Sequence, residues 1–440
     1  MDTIAALSSG RLPAGLAVVR ISGPRTRFAV ETIMGKLPKP RVATYGTLNG
    51  RDGAVLDRGL ALFFPGPGSF TGEDVAEFQV HGGRAVVAAL LDELSAIPGV
   101  RHAEPGEFTR RAFLNGRLDL TETEALADLI NAETEAQRRF AVRNAAGAQS
   151  GLYLDWRKRL IHARAMIEAD IDFGDEEDVP GSVADEVWSE ARILMGEIAD
   201  HIAGFRAAEI IREGFDVVIL GAPNSGKSSL FNALIKRDAA IVTSEAGTTR
   251  DLLEVSLDLK GTLVRMTDTA GIRDDAGTVE AIGIERAQAR AGEADLILVL
   301  EDMRTPIGFE LGLATAPLLK VGTKSDLIED GLLRGENKPY DMVISTVDGS
   351  GITDLLDEIG RRAADAISPA AEVLPSRIRH VELLRETLRY LGEAVDTGES
   401  PLELRSEALR LAGHSLGRIA GSVDVEDLLD VIFSKFCIGK

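Results

Sequence analysis

The stretch Gly221-Ala-Pro-Asn-Ser-Gly-Lys-Ser228 constrains this chain more than any other. It follows the apolar run "FDVVIL" at 215–220 and leads into "SLFNALI", which has helical spacing, so it occupies a turn from a strand into a helix. In that setting backbone N–H groups face one concavity and the helix N-terminus adds partial positive charge. Lys227 then reaches outer phosphates, and the Ser228 hydroxyl is placed to ligate Mg2+. Strands alternate with helices from here to about residue 365, which predicts an α/β nucleotide-binding domain.

Three later segments extend the same site. In "AGTTRD", residues 246–251, Thr249 is placed to complete a magnesium shell and sense a γ-phosphate. "DTAG", residues 268–271, follows the strand "TLVRMT"; Asp268 holds Mg2+ through water and Gly271 offers its N–H, with Thr269 and Ala270 between them. "LLKVGTKSD" ends in Thr323, Lys324 and Asp326: an aliphatic stem for a purine face and a carboxylate for two N–H donors. Adenine lacks that donor pair, so GTP is expected over ATP. Ser345 in "VIST" resembles the last guanine-binding loop, and Ser225, Gly226 and Ser229 complete the first one. Thr323 stands where Asn is commonest, which predicts the loss of one buttressing amide to the loop. The short spacing between "DLILVL" and "PLLKVG" leaves room for only a short helix.

Ras-like switches place a Gln after "DTAG" to orient the attacking water; here the residue is Ile272, which offers no hydrogen bond. Arg273, Asp274, Asp275 and Glu280 are the polar residues nearby, and the Glu280 carboxylate is the expected replacement. Positive charge at the β–γ bridge comes either from a monovalent cation held by the Asn224 amide oxygen, or from Arg250 or Arg273.

The chain has 440 residues, 70 acidic against 49 basic, and a formal net charge of −21. Its length predicts two to four domains, and its charge repels phosphate backbones, so nucleic acid must meet a local basic patch or a borrowed surface. A single Cys excludes an intramolecular disulfide or a thiolate zinc cage and fits a reducing compartment. No apolar stretch of membrane-spanning length occurs, so a soluble cytoplasmic protein without membrane association is expected.

Residues 1–117 read as α+β, with a helix at "GRAVVAALLDELSAI". Residues 118–211 read as helical, including a helix from Val183 to about Ile211. Residues 212–367 form an inserted nucleotide domain, and 368–440 return to helices. The acidic turn Asp170, Asp172, Asp175, Glu176, Glu177 and Asp178 reads as solvated. His81 in "QVHGG" reads as a turn residue. Arg110, Arg111, Arg138, Arg139 and Arg143 lie at helical spacing among acids, as solvated faces do, although phosphates are an alternative. Cys437, among Phe433, Phe436 and Ile438, reads as a small buried apolar residue.

Taken together, "GAPNSGKSSL", "IVTSEAGTTRD", "DTAGIRDDAGTVEAIGIERA", "SFTGEDVAEFQVHGG", "PGEFTRRAFLNGRLDLTETEALADLI" and the closing "FCIGK" resemble the MnmE (TrmE) family of tRNA modification GTPases. The resemblance implies a folate-binding, dimerising N-terminal domain, a helical domain made from both sides of the insertion, and a Ras-like G domain activated by K+. It implies homodimers acting with the flavoprotein MnmG, which carries FAD, in a heterotetramer or larger complex on tRNA. The product would be a carboxymethylaminomethyl or aminomethyl group at C5 of the wobble uridine, with 5-formyl- or 5,10-methylene-tetrahydrofolate as one-carbon source. By resemblance Asn224, Thr243, Glu245 and Thr248 hold K+, with Ser244, Ala246 and Gly247 in the same loop, and Glu280 is the catalytic acid. Arg20, Glu77, Arg117, standing where Lys is often found, and Lys440 match folate positions, and Cys437 falls near the one-carbon unit. The rival reading is a regulatory GTPase of the ribosome-assembly kind; such proteins usually carry a basic RNA-binding appendage, absent from this sequence.

Overall fold

The computed structural model describes residues 2–173, 183–237, 239–241, 253–268, 292–306, 316–328, 339–368, 373–396, 400–423, 429, 432–433 and 436–439. The chain divides into two compact units, 1–127 with 144–188 and 389–440, and 128–143 with 189–388.

In the first unit six strands form a sheet in the order β3-β4-β5-β2-β1-β6. These are β1 (Thr3–Leu7), β2 (Ala14–Ser22), β3 (Thr44–Asn49), β4 (Val55–Phe64), β5 (Val75–Gly82) and β6 (Val100–His102). Period-2 alternation supplies both faces. Ala5, Val19, Ile21 and Phe78 pack with helices α1 (Thr26–Met34) and α2 (Arg84–Ser95), whereas Ile4 and Ala6 turn the other way, onto Phe108 of α3 (Glu107–Leu114). His81 is a strand residue and not a turn: β5 continues through it, with Gly82 opposite Ala14, and Asp57 Oδ1 lies 2.9 Å from its Nδ1.

The helical run from residue 118 divides into α4 (Leu120–Asn131), α5 (Glu135–Ala145) and α6 (Ala148–Phe173). Along α6 the buried Tyr153, Trp156, Leu160, Ala163 and Ile167 recur at three- and four-residue spacing and supply its apolar face. The helix expected from Val183 to Ile211 is two helices, α7 (Val183–Ala203) and α8 (Phe205–Glu213). The Gly204 N–H bonds His201 O at 3.1 Å, a tightened turn, and a Cβ there would lie 2.6 Å from Leu374 Cδ2.

In the second unit a seven-stranded sheet runs β13-β12-β11-β7-β10-β9-β8. Its strands are β7 (Phe215–Leu220), β8 (Ala240–Ile241), β9 (Leu253–Leu259), β10 (Thr262–Asp268), β11 (Leu296–Asp302), β12 (Leu318–Thr323) and β13 (Met342–Ile344). The paired neighbours from β13 through β10 are parallel, and β8 and β9 add an antiparallel edge. β7 and β11 are near-continuous apolar runs because both of their faces are covered. Helices α9 (Lys227–Ile235) and α10 (Ile352–Ile367) cover the sheet; Ile352, Leu355, Leu356, Ile359 and Ala363 form one stripe of α10. Helices α11 (Ile378–Val395) and α12 (Leu402–Ala420) follow, and α12 packs along α6.

Arg111 departs from a solvated basic face. It is 7% exposed, and its guanidinium donates to Asp2 O (2.8 Å), Asp2 Oδ1 (2.8 Å), Glu73 Oε2 (3.1 Å) and Glu107 Oε1 (3.0 Å). Arg138 and Arg139 do lie on an exposed face, both paired with Glu135. Burial works to raise the Glu107 carboxyl, but hydrogen bonds from Arg101, the Glu104 amide and Arg111 overcome it and hold it below the usual 4.5. Arg111→Ala is expected to lower stability by about 3 kcal/mol near neutral pH, because it strands partly buried carboxylates. A carboxyl depressed on folding stabilises fully above its unfolded value, so the difference from wild type should shrink as pH falls below about 4.5. Thermal denaturation of both proteins across pH 3–7, a range chosen around ordinary carboxylate values, checks this.

Candidate functional site

The turn after β7 and the first residues of α9 form a loop with a helix behind it, as the pattern requires. Lys227 is 7% exposed; its Nζ donates to Gly221 O at 2.8 Å and Ala222 O at 3.0 Å, so the ammonium lies inside the loop. Burial lowers its pKa from 10.5, and Asp268 partly offsets this. Asp268 ends β10 and is 1% exposed. Ser228 and Ser229 are exposed on the first turn of α9. Ser228 and Asp268 are hard oxygen donors at the mouth of the loop, a set that suits Mg2+. Ser225 Oγ is buried without a hydrogen-bond partner among the described residues, leaving one donor in the loop unspent.

The base motif sits at the end of β12, two strands from β7. Thr323 is 2% exposed, and its Oγ1 donates to Ser225 O at 2.7 Å and lies 3.1 Å from Glu301 O. The expected loss of a buttress is therefore corrected: the threonine hydroxyl reaches the loop carbonyl directly. Lys324 Nζ donates to Asn224 O at 2.9 Å and to Asp302 Oδ2 at 2.6 Å. Asp326 is exposed in the turn Ser325–Leu327. Ser345, fully buried after β13, accepts the Val347 amide at 3.2 Å and fixes the next loop. A cavity of about 410 Å3 lies beside these residues, lined by Pro223, Asn224, Asp302, Arg304, Lys324 and Tyr340 among others.

The positions Thr243, Ser244, Glu245, Ala246, Gly247, Thr248, Thr249 and Arg250 lie outside the described residues, as do Thr269, Ala270, Gly271, Arg273, Glu280 and Lys440. Asp302 and Arg304 were missed by motif reading. The available signal was the carboxylate closing "LILVLED": in parallel register Asp302 lies opposite Thr323.

A second group of sites is in the six-stranded unit. Arg20 of β2 and Glu77 of β5 are direct cross-strand partners, with Arg20 Nη2 2.8 Å from Glu77 Oε1. The guanidinium also lies 5.4 Å from the Phe70 ring centroid and 5.8 Å from that of Phe108. Arg117 is exposed, and its N–H bonds Ala112 O. The C-terminal tail docks on the same unit: Ile438 bridges Pro105, the Gly106 N–H reaches Cys437 O at 3.3 Å, and Ser8 Oγ donates to Gly439 O at 2.7 Å. Gly439 has a φ of 96°, and a Cβ there would stand 2.0 Å from Leu7 O, so only glycine fits. Phe433 and Phe436 are buried, but Cys437 is exposed and not a core residue. Arg20 lies opposite Ala6, on the face covered by α3, and the tail meets that helix at its N-terminal Gly106.

Family models match the chain in two stretches: residues 3–117 as the GTP-binding protein TrmE N-terminus and residues 120–437 as the MnmE helical domain. The tRNA modification GTPase MnmE of Mesorhizobium japonicum is 68% identical over 439 residues, covering 100% of this chain and 99% of that protein. The chain belongs to the MnmE family of tRNA modification GTPases. The MnmE of Brucella anthropi is 55% identical, covering 100% of this chain and 98% of its own length. A solved structure of the G domain of the T. maritima FeoB iron transporter is 24% identical, covers 34% of this chain and 98% of that one, and has a TM-score of 0.25. As a member of the MnmE family the chain is a GTP-hydrolysing enzyme. Among the described residues no helix is long and apolar enough to cross a membrane, and no group of three or more His, Cys, Asp or Glu is placed to hold a metal ion.

Thr323→Val keeps the shape and removes the hydroxyl that supports Ser225 O. It is expected to weaken GDP binding about fivefold to tenfold, on the order of 1 kcal/mol, as checked by isothermal titration of the full-length protein.

Proposed function

We propose that this chain is a GTP-driven enzyme that acts with a flavoprotein of the MnmG type on the wobble uridine of certain tRNAs. The added group is of the aminomethyl or carboxymethylaminomethyl class at C5, with the methylene taken from a tetrahydrofolate derivative. The observation that carries the folate part is the docking of the Cys437–Gly439 tail on the unit that bears Arg20 and Glu77, against Pro105 and Gly106 at the start of α3 and against Ser8 after β1. Arg20 offers a guanidinium to a glutamate-tail carboxylate, and Glu77 accepts from a pterin amine and ring N–H. Each of the two is already held by the other, so both side chains are oriented before a ligand arrives. Cys437 is exposed on that tail, and by family resemblance Arg117 and Lys440 join the proposed folate contacts.

On the GTPase side, Lys227 would meet the outer phosphates, and the Ser228 and Thr249 hydroxyls with the Asp268 carboxylate would hold Mg2+, which when bound would neutralise charge developing on the phosphates. Asn224 has a φ of 64°, and we assign its amide oxygen to K+ together with Thr243, Glu245 and Thr248. Glu280 orients the attacking water where Ile272 leaves no hydrogen-bonding group. Arg273, next to Ile272 in the sequence, is assigned a supporting catalytic role. Two copies closing through their G domains would pass the nucleotide state to the folate-binding unit. The net charge of −21 is consistent with a partner that supplies much of the tRNA surface.

Nucleoside analysis of total tRNA from cells lacking this protein tests the reading. The expected result is loss of the C5-modified wobble uridines, restored by the full-length chain. A nucleoside profile identical to wild type, with defective ribosomal subunits instead, would transfer the assignment to the ribosome-assembly class.

A further inference from the structure

Asn224 in the nucleotide loop and Lys324 in the base motif both have positive φ, 64° and 61°. L side chains adopt this conformation at a cost, and it persists where surrounding bonds over-determine it. Those bonds converge on one carboxylate. Lys324 Nζ spans Asn224 O at 2.9 Å and Asp302 Oδ2 at 2.6 Å. Asp302 is 9% exposed and also accepts from Arg304 three times: the amide N–H at 3.0 Å, Nε at 3.1 Å and Nη2 at 2.8 Å. It closes β11 in register with Thr323, so backbone pairing fixes where the carboxylate stands. The Arg304 bonds, opposed by some burial and joined by those from Lys324, hold the Asp302 carboxyl well below the usual aspartate range.

We propose that Asp302 is a positioning residue of the guanine-nucleotide site. It draws the Lys324 ammonium across the loop, so that the Lys324 stem and the Asn224 turn are set before nucleotide binds. This deepens the reading of the site as a GTP site and rests on it. Arg304, by contrast, keeps Asp302 charged and oriented from the solvent side, and Lys324 retains its bond to the carboxylate without it. The effect should therefore concentrate in Asp302 and Lys324, with Arg304 contributing little.

The test is equilibrium titration of the full-length protein with fluorescent GDP and GTP analogues. Asp302→Ala should raise both dissociation constants about tenfold to thirtyfold, the scale of one lost charge-assisted bond. Asp302→Asn, which keeps an acceptor and the shape, should raise them about threefold and supplies the measurement if the alanine variant fails to fold. In a Lys324→Ala background, Asp302→Ala should add less than about twofold, because the bond it makes is already gone. A purely structural role would instead lower the melting temperature of the nucleotide-free protein and add its full loss in both backgrounds. Unchanged nucleotide affinity in both Asp302 variants, or equal losses with and without Lys324, overturns the proposal. If the wild-type protein binds neither analogue, the guanine-site reading itself fails, which is a separable outcome.

Discussion

At the ends of β11 and β12, side chains from one edge of the parallel sheet reach over to grip the backbone of the loop that leaves β7. Thr323 Oγ1 holds Ser225 O, and Lys324 Nζ holds Asn224 O. A phosphate loop is made of backbone donors that must all face one point, and a free loop would lose that alignment to conformational entropy. Here the sheet supplies the rigidity. β7 and β11 are buried along nearly their whole length and β12 over its second half, and the polar residues of the site stand where these strands end. Placement at strand ends is what turns hydrophobic burial into precision at a polar site.

The six-stranded unit uses the same logic with different materials. Arg20 and Glu77 are adjacent on neighbouring strands, so register alone places them together. The tail is held mainly by backbone bonds to Gly106 and Ser8 and by the anchors Phe433 and Phe436. Its route needs a residue without a side chain where Gly439 passes Leu7 O. Nearby, Arg111 collects Asp2, Glu73 and Glu107 from three separate stretches of chain and ties the start of β1 to α3. The exposed thiol of Cys437 thus sits on a fixed frame.

Much of this was legible because the signals are local. The apolar run before Gly221, the Lys-Ser pair and the carboxylate at 268 announce a strand, a loop and a strand end by their own chemistry. What was not legible depends on distant partners. Arg111 has the same spacing among acids as a solvated residue, and partners from distant chain, Asp2 more than a hundred positions away and Glu73, make it a buried one. The threonine at 323 reads as a lost amide until the approach of Ser225 O within 2.7 Å shows that a short hydroxyl suffices. Where the predicted helix divides, at Gly204, a Cβ would run into Leu374, a constraint that no local pattern records. His81 was misread because the Gly pair after it suggests a turn, whereas cross-strand pairing to Ala14 extends the strand.

The proposed cation chemistry needs one loop asparagine, Asn224, whose carbonyl is held by Lys324 and whose amide oxygen would take a monovalent cation where an arginine stands in other switches. Thr243, Glu245 and Thr248, proposed beside it for K+, lie outside the described residues. The direct measurement is the GTP turnover of the full-length protein in KCl and in NaCl at equal ionic strength. The account predicts turnover at least about tenfold faster in KCl, with nearly equal GDP affinity in the two salts. Equal turnover in both would contradict it and return the charge at the β–γ bridge to an arginine.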